Sequence, residues 1–164
     1  MKRSEAIYII SLKILTDLTV DRRQGILMDI YSENDEYENI VDVSDATYNK
    51  EILDYITVGF TGITNLYLEK EGFKIDGFNS KITDGEDYSL LKCYCCDYKT
   101  IFQRGHYDIC PLCNWEDDGS DDLLKYSSAN RSNLFDAKKK FLSTFNNKGL
   151  SICEDVLIKY HKGE

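Results

Sequence analysis

The stretch CYCCDYKTIFQRGHYDICPLCNWEDDG, residues 93–119, holds five of the six cysteines of this 164-residue chain. Cys93 and Cys96 form one C-x-x-C pair, Cys110 and Cys113 form a second, and 13 residues separate the pairs. With this spacing each pair turns tightly around one metal ion, and a β-hairpin brings the two pairs together tetrahedrally. The stretch therefore predicts a zinc-ribbon-like module with these four cysteines as metal ligands.

The residues around the pairs agree with this prediction. Asp97 and Asn114 directly follow the two pairs, at a position where such turns usually have glycine because the backbone is left-handed. Asp and Asn are the non-glycine residues that adopt this conformation most readily. Gly105 lies between two β-rich runs, so we expect a hairpin centred on it.

The ligand set favours Zn²⁺ and a structural role. Four thiolates also suit a single iron ion, as in rubredoxin-like proteins, so an iron electron-transfer protein is the alternative function. A closed four-cysteine site has no open coordination position for a substrate or a reactive water. We therefore expect a protein that is not an enzyme.

Three other side chains have reactive or metal-binding chemistry. Cys95 is interpreted as a bystander, because the middle residues of a C-x-x-C turn are expected to point outward. His106 falls at the predicted turn, where solvation is expected, and Cys153 is interpreted as a small core residue of a last helix. An enzyme with Cys95 as nucleophile and His106 as base is a third hypothesis, but no third group is evident to orient His106.

The run WEDDGSDD, residues 115–122, contains five acids in eight residues. Its spacing differs from that of an EF-hand loop, so a calcium site is not expected. We predict that Trp115 packs over the second cysteine pair. The acids are expected to cap or solvate the following turn, or to extend an acidic surface.

Charge is distributed unevenly. Residues 1–92 contain 18 acidic and 10 basic residues, whereas residues 93–164 contain 11 and 10, and the whole chain has a net charge of -9. Such a field repels phosphate, so nucleic-acid binding is disfavoured and a basic protein partner is favoured. Residues 33–45 contain six acids and no base. A solvated loop explains them most simply, and they are also where we expect contacts with a cationic partner.

No segment reaches the roughly 20 apolar residues that span a bilayer, so no membrane span is expected. Residues 1–20 read as an amphipathic helix, not as a signal peptide, and we predict a cytoplasmic location. In a reducing compartment, clustered cysteines are more often metal ligands than disulfides. The sequence makes no prediction of oligomeric state.

Hydrophobic periodicity predicts an acidic, mainly helical region over residues 1–87. The cysteine pairs predict a cysteine-rich metal-binding domain over residues 88–164, which ends in C-terminal helices. A first helix is expected over about residues 4–18 with Ser4 as its N-cap, and Thr19 or Asp21 is expected to cap a second. Two short helices are predicted over residues 48–71, separated at Gly59–Gly62, and a strand or hairpin with a linker over residues 73–87. Asn133 is expected to cap a helix over residues 134–145. The predicted class is α+β.

The motifs CYCCDY, RGHYDICPLCNWEDDG and NRSNLFDAKKKF together resemble the bacterial cysteine-rich CPCC domain family, over about residues 91–146. The resemblance implies a small zinc-ribbon-like domain. Tyr94 stands where the family has proline, Asp97 where it has glycine and Asn114 where it has phenylalanine, and none of these departures removes a ligand. Small acidic proteins of this kind resemble immunity proteins, which implies neutralisation of a toxin as a role.

Overall fold

The computed structural model describes residues 1–32, 40–75, 77–78, 81–147 and 158–163, and leaves out the side chains of residues 145–147. The chain forms two compact units, Met1–Thr61 with Leu68–Gly85, and Gly62–Tyr67 with Glu86–Glu164. Helices make up the regular structure of the first unit, and the second contains the strands of the described part. The predicted α+β class is confirmed. Among the described helices, none has the length and apolar character to cross a membrane.

The first unit is built around one central helix. Helix α3 packs against both α1 and α2, and Leu27, Ile52 and Ile56 are buried between these helices. A short 3₁₀ helix, Ala46–Tyr48, precedes α3. The four helices in the N-terminal half of the chain are α1 (Arg3–Asp17), α2 (Val20–Tyr31), α3 (Asn49–Val58) and α4 (Asn65–Gly72).

The predicted helix boundaries are largely confirmed. Thr19 caps α2, since its side chain accepts a hydrogen bond from the backbone N–H of Arg22. The break between α3 and α4 falls at the predicted Gly59–Gly62 segment. Ser4, however, is not an N-cap. Lys2 takes that position, because the Glu5 carboxylate accepts the Lys2 backbone N–H at 3.0 Å and so secures the start of α1 two residues earlier.

The strand or hairpin predicted over residues 73–87 is wrong for the part that the structure describes. Those residues form turns and irregular structure. Their backbone groups bond outside any sheet: the N–H of Ile82 donates to the Glu69 carboxylate at 2.8 Å, and the N–H of Thr83 donates to the carbonyl of Met1 at 3.1 Å. Because these N–H groups already have hydrogen-bond acceptors, they do not pair with a neighbouring strand.

From residue 86 onward, the described part of the second unit forms three small hairpins and a long helix. The first hairpin pairs β1 (Leu91–Lys92) with β2 (Lys99–Ile101), antiparallel. In the second, Ile109 bridges to Glu116, and in the third β3 (Tyr126–Ser127) pairs with β4 (Ser132–Asn133). Helix α5 (Leu134–Asn147) follows directly. Asn133 caps α5 as predicted, with its Oδ1 accepting the Asp136 backbone N–H at 2.8 Å.

The hairpin predicted around Gly105 is wrong in its pairing. Strand β2 pairs with β1, which precedes the first cysteine pair, and residues 107–110 pair with residues 115–117. Each C-x-x-C turn therefore reverses the chain by itself and forms the tip of its own hairpin. Gly105, with a φ of 75°, lies in the turn that connects the two hairpins.

The described C-terminal residues lie along the first hairpin. The N–H of Lys99 donates to the carbonyl of His161 at 2.8 Å, and the N–H of Gly163 donates to the carbonyl of Asp97 at 2.7 Å. Most of the predicted last helix, including Cys153, lies outside the described residues.

Candidate metal centre

The two cysteine pairs have the same backbone geometry. In the first hairpin the N–H of Cys93 donates to the carbonyl of Tyr98 at 2.8 Å, and in the second the N–H of Cys110 donates to the carbonyl of Trp115 at 2.9 Å. In both turns the N–H of the residue after the pair donates back to the carbonyl of the first cysteine. The chain therefore contains the same C-x-x-C turn twice, with the two tips facing one another.

The residue after each pair is left-handed, as predicted. Asp97 has a φ of 65° and Asn114 a φ of 58°. This conformation lets their N–H groups reach the carbonyls of Cys93 and Cys110, at 3.0 and 2.8 Å. Asp and Asn tolerate it at a lower energetic cost than β-branched or large apolar residues.

The four predicted ligands lie together. The Sγ atoms of Cys93, Cys96, Cys110 and Cys113 are all within 4.8 Å of one another. Cys93 and Cys113 are separated by 3.7 Å between sulfurs, and Cys96 and Cys110 by 3.6 Å. A tetrahedral ion with metal–sulfur bonds of about 2.3 Å requires sulfurs about 3.8 Å apart. The five described cysteines are free thiols, so the four are arranged to hold one metal ion.

The close packing of these thiols divides the negative charge unevenly among them. Hydrogen bonding from the Cys113 thiol lowers the pKa of Cys110, and the same contact raises the pKa of Cys113. Hydrogen bonding to Cys110 likewise raises the pKa of Cys96. Four thiolates at this spacing would repel one another strongly, and a metal cation bound between them would offset this repulsion.

The surroundings of the cluster are apolar and closed. Cys93 and Cys110 are essentially inaccessible, and the buried Thr100 places its hydroxyl oxygen 3.1 Å from the Cys110 sulfur. Such a contact fixes the orientation of a ligand and tunes the charge on its sulfur. The same core contains the buried side chains of Ile101, Trp115 and Leu134, with Ala137 and Phe141 of α5 packed against them.

Cys95 does not point outward as predicted. Its side chain is only 4% exposed and belongs to the same core as the four clustered cysteines. Helix α5 and the second hairpin pack in the core that contains Cys95. The C-x-x-C pattern does not specify which elements pack against it, so the burial of Cys95 could not be predicted. His106 is exposed in the turn that contains Gly105, as expected.

The run at residues 115–122 contains two buried side chains, although its composition indicates an exposed acidic turn. Trp115 is buried against the cysteine cluster, which confirms its predicted position. Asp117 is also buried, however, and forms an ion pair with Arg104. The expectation that these acids only cap or solvate a turn is wrong for Asp117. Five acids among eight residues give no sequence signal of which one is buried.

The comparisons with known proteins address this segment. Residues 91–153 match the family model described as cysteine-rich CPCC. The predicted resemblance to this family is confirmed. We refer to residues 91–153 as the CPCC segment. The searches of curated proteins and of solved structures gave no match.

One departure of the CPCC segment from its family motif has a structural role in this chain. Tyr94 occupies the position of the family proline, and its ring lies 3.8 Å from the guanidinium carbon of Arg104. A guanidinium over an aromatic face is attracted by the ring quadrupole. Tyr94 therefore helps to hold the arginine that pairs with Asp117.

Proposed function

We propose that this chain is a non-enzymatic protein in which one Zn²⁺ bound by Cys93, Cys96, Cys110 and Cys113 cross-links the CPCC segment. The observation that carries this proposal is the set of four sulfur atoms within 4.8 Å of one another. Binding energy of a structural zinc ion, roughly 10–16 kcal/mol in small domains, acts as folding energy for the segment that supplies the ligands.

A structural role is favoured over a catalytic one. Four thiolates fill a tetrahedral zinc site and leave no position for a reactive water. A rubredoxin-like iron site has the same ligand set, so electron transfer is the second candidate, supported by the same sulfur arrangement. Bacterial cytoplasm is the location we propose, because a reducing compartment keeps such thiols available to a metal.

We further propose that an acidic surface binds a basic protein partner, and a toxin neutralised by this chain is one such partner. The net charge of -9 supports this part. Of the acidic stretch at residues 33–45, Asp42 and Asp45 lie in the described part, and both are exposed. A hydrogen bond from the Thr47 backbone lowers the pKa of Asp45 and keeps it charged.

The metal is tested by elemental analysis and a visible spectrum of protein purified without added metal. We expect one equivalent of zinc and no colour. One equivalent of iron, with absorption bands that bleach on reduction, would replace zinc and make electron transfer the leading function. Absence of any metal from a folded protein would remove the cross-link proposal.

The partner is tested by charge reversal. The double variant Glu36→Lys/Glu38→Lys should weaken binding to a basic partner without changing the unfolding transition. Asp54→Lys, on the exposed side of α3, is the matched control and should bind as the parent does. Equal affinities of both variants for an identified partner would sink the assignment to residues 33–45.

A further inference from the structure

The described part of the CPCC segment holds five cysteines around a site that takes four ligands. Cys95 is the fifth, and the proposed metal site leaves it as a thiol. Its side chain is buried in the same cluster as Cys93, Cys96 and Cys110. Cys113 packs against that cluster. Cys95 is therefore a thiol placed directly beside the four predicted ligands, and not an isolated cysteine elsewhere in the fold.

Cys95 has a specific neighbour among the ligands. Its side chain forms a hydrogen bond with the side chain of Cys113. Cys95 lies within the first C-x-x-C turn and Cys113 ends the second, so this contact joins the tips of the two cysteine hairpins. A bound metal would join the same two tips through the four ligand sulfurs. A covalent bond between Cys95 and Cys113 would therefore link the hairpins at the same place.

Cys113 is the ligand that a small solute reaches most easily. The other three ligands are no more than 5% exposed, whereas Cys113 is partly exposed. Pro111 and Asn114, on the two sides of Cys113, are exposed. A bound metal ion keeps a coordinating thiol deprotonated, and the thiolate is the form of cysteine that attacks electrophiles and oxidants. Cys113 thus combines access from solvent with reactivity.

From this arrangement we propose that Cys113 is a site of reversible oxidation by a hydroperoxide, with Cys95 as the thiol that resolves the oxidised form. Cysteines that respond to oxidants in this way are accessible thiolates that lie next to a second, resolving cysteine. The inference rests on the proposed zinc site, and it assigns to that site a modification and the class of oxidant that causes it.

The oxidation has two steps. In the first, the Cys113 sulfur attacks hydrogen peroxide: the S–O bond forms, the O–O bond breaks and hydroxide leaves, so that Cys113 becomes a sulfenic acid. In the second, the Cys95 sulfur attacks the Cys113 sulfur: the S–S bond forms, the S–O bond breaks, and the hydroxyl group leaves with the Cys95 proton as water. The two sulfurs together lose two electrons, and the peroxide gains them.

Cys93 is the competing partner of Cys113, because their sulfurs are 3.7 Å apart. In the loaded site Cys93 is itself a ligand, whereas Cys95 has no bond to the metal and can move toward Cys113 without breaking one. Once Cys113 is in a disulfide, it is no longer available as a ligand. Three thiolates then remain where a closed tetrahedral site needs four, so oxidation should release the zinc.

The test uses the zinc-loaded full chain, hydrogen peroxide as the oxidant, and two readouts. A colorimetric chelator measures the zinc released, and peptide mass spectrometry after alkylation of the remaining thiols maps the disulfide. We expect a disulfide between Cys95 and Cys113, with one equivalent of zinc released per disulfide. Dithiothreitol with added zinc should reverse both changes, because a disulfide is open to thiol exchange.

Two cysteine variants sharpen the test. Cys95→Ala keeps all four ligands and should load with zinc, but it lacks the resolving thiol. Peroxide should then carry Cys113 on to the sulfinic acid, which dithiothreitol does not reduce, so the zinc binding regained after reduction should fall about fivefold or more relative to the parent. Cys153→Ala removes the other cysteine outside the predicted ligand set. It is the matched control, and it should form the same disulfide and recover as the parent does.

Each outcome decides the inference. A disulfide that joins Cys113 to Cys93 or to Cys153 in the parent would overturn the role of Cys95. Zinc release with sulfinic acid and no disulfide, zinc that peroxide does not release, or equal recovery by the parent and Cys95→Ala would overturn the reversible oxidation.

The zinc content measured before peroxide is added separates this inference from the proposed function. A folded chain that holds no zinc removes the proposed function and the inference together. A zinc-loaded chain that does not form the disulfide between Cys95 and Cys113 removes the inference alone.

Discussion

Arg104, in the turn that connects the two cysteine hairpins, forms an ion pair with Asp117, in the second hairpin. Nη1 of Arg104 lies 2.6 Å from Oδ1 of Asp117, and the Asp117 side chain is 1% exposed. The other carboxylate oxygen of Asp117 accepts the N–H of Gly105 at 2.9 Å, and Arg104 also donates to the carbonyl of Lys92. The Asp117 carboxylate thus ties the second hairpin to the turn between the hairpins, and Arg104 extends this link to the strand before the first cysteine pair.

Asp117→Asn should therefore destabilise the metal-loaded protein by about 2–3 kcal/mol, because Arg104 would lose the partner of a largely buried charge. Partial exposure of the Arg104 side chain, 26%, places the expected effect toward the lower end of the range for buried pairs. Chemical denaturation gives the value. Asp118→Asn, next in the chain and partly exposed, is the control and should change stability by less than about 0.5 kcal/mol. Equal effects would contradict the role given to Asp117.

Cys96→Ala and Cys95→Ala should behave differently although the two residues are adjacent and both buried. Cys96→Ala removes a thiolate from the proposed metal site, so the metal should be lost and the CPCC segment should loosen. Cys95→Ala removes packing and a side-chain hydrogen bond with Cys113 but no predicted ligand, so we expect a cost of about 1 kcal/mol and full metal content. Elemental analysis and denaturation distinguish them, and metal retained by Cys96→Ala would show that the ligand assignment is wrong.

Asn114 allows a direct test of the left-handed turn, because its φ is 58° and its side chain is exposed. Asn114→Gly should leave stability unchanged to within about 0.5 kcal/mol, since glycine adopts this conformation freely. Asn114→Val should cost about 1–2 kcal/mol, because a β-branched side chain is strained there. Thermal unfolding of the metal-loaded variants measures the difference. Equal stabilities of the glycine and valine variants would mean that the turn changes its backbone conformation.

Gly72 and Gly25 should respond to alanine with opposite signs. A Cβ on Gly72 would lie 2.1 Å from the Phe78 ring, whereas a Cβ on Gly25 would meet nothing within 4 Å. Gly72→Ala should therefore cost about 1–3 kcal/mol by overpacking. Gly25→Ala, within α2, should stabilise the protein by about 0.5–1 kcal/mol. Denaturation curves of both variants check the pair, and stabilisation by Gly72→Ala would show that Phe78 does not pack there.

The local features of the fold could be predicted from short stretches of sequence. Thr19 and Asn133 cap helices because the side-chain oxygen of each accepts a hydrogen bond from the backbone N–H three residues later. At the start of a helix this N–H has no backbone acceptor, so the cap depends on local sequence alone. Asp97 and Asn114 are left-handed because their type and their place after a C-x-x-C pair favour this conformation. Ser4 was expected to act in the same way, and it does not, because the Glu5 carboxylate accepts the Lys2 N–H and the helix begins two residues before the expected position.

Features that depend on distant partners could not be predicted in this way. The pairing of β2 with β1, the burial of Cys95 and the ion pair of Asp117 each involve a neighbour that the pattern of the local residues does not specify. Asp117 stands in a run of five acids, and Cys95 stands in a pair of adjacent cysteines. Composition and spacing are the same whichever member of each group is buried.

The sequence by itself determined the cysteine cluster, because two C-x-x-C turns with a short connection can bring their sulfurs together only in a narrow set of geometries. It also determined the helices α1 to α5 and the acidic character of the chain. The tertiary structure decided which side chains cover the cluster and which remain exposed, including Leu124 and Tyr126. Burial is set by the elements that pack against a residue, and that packing is a property of the folded chain as a whole.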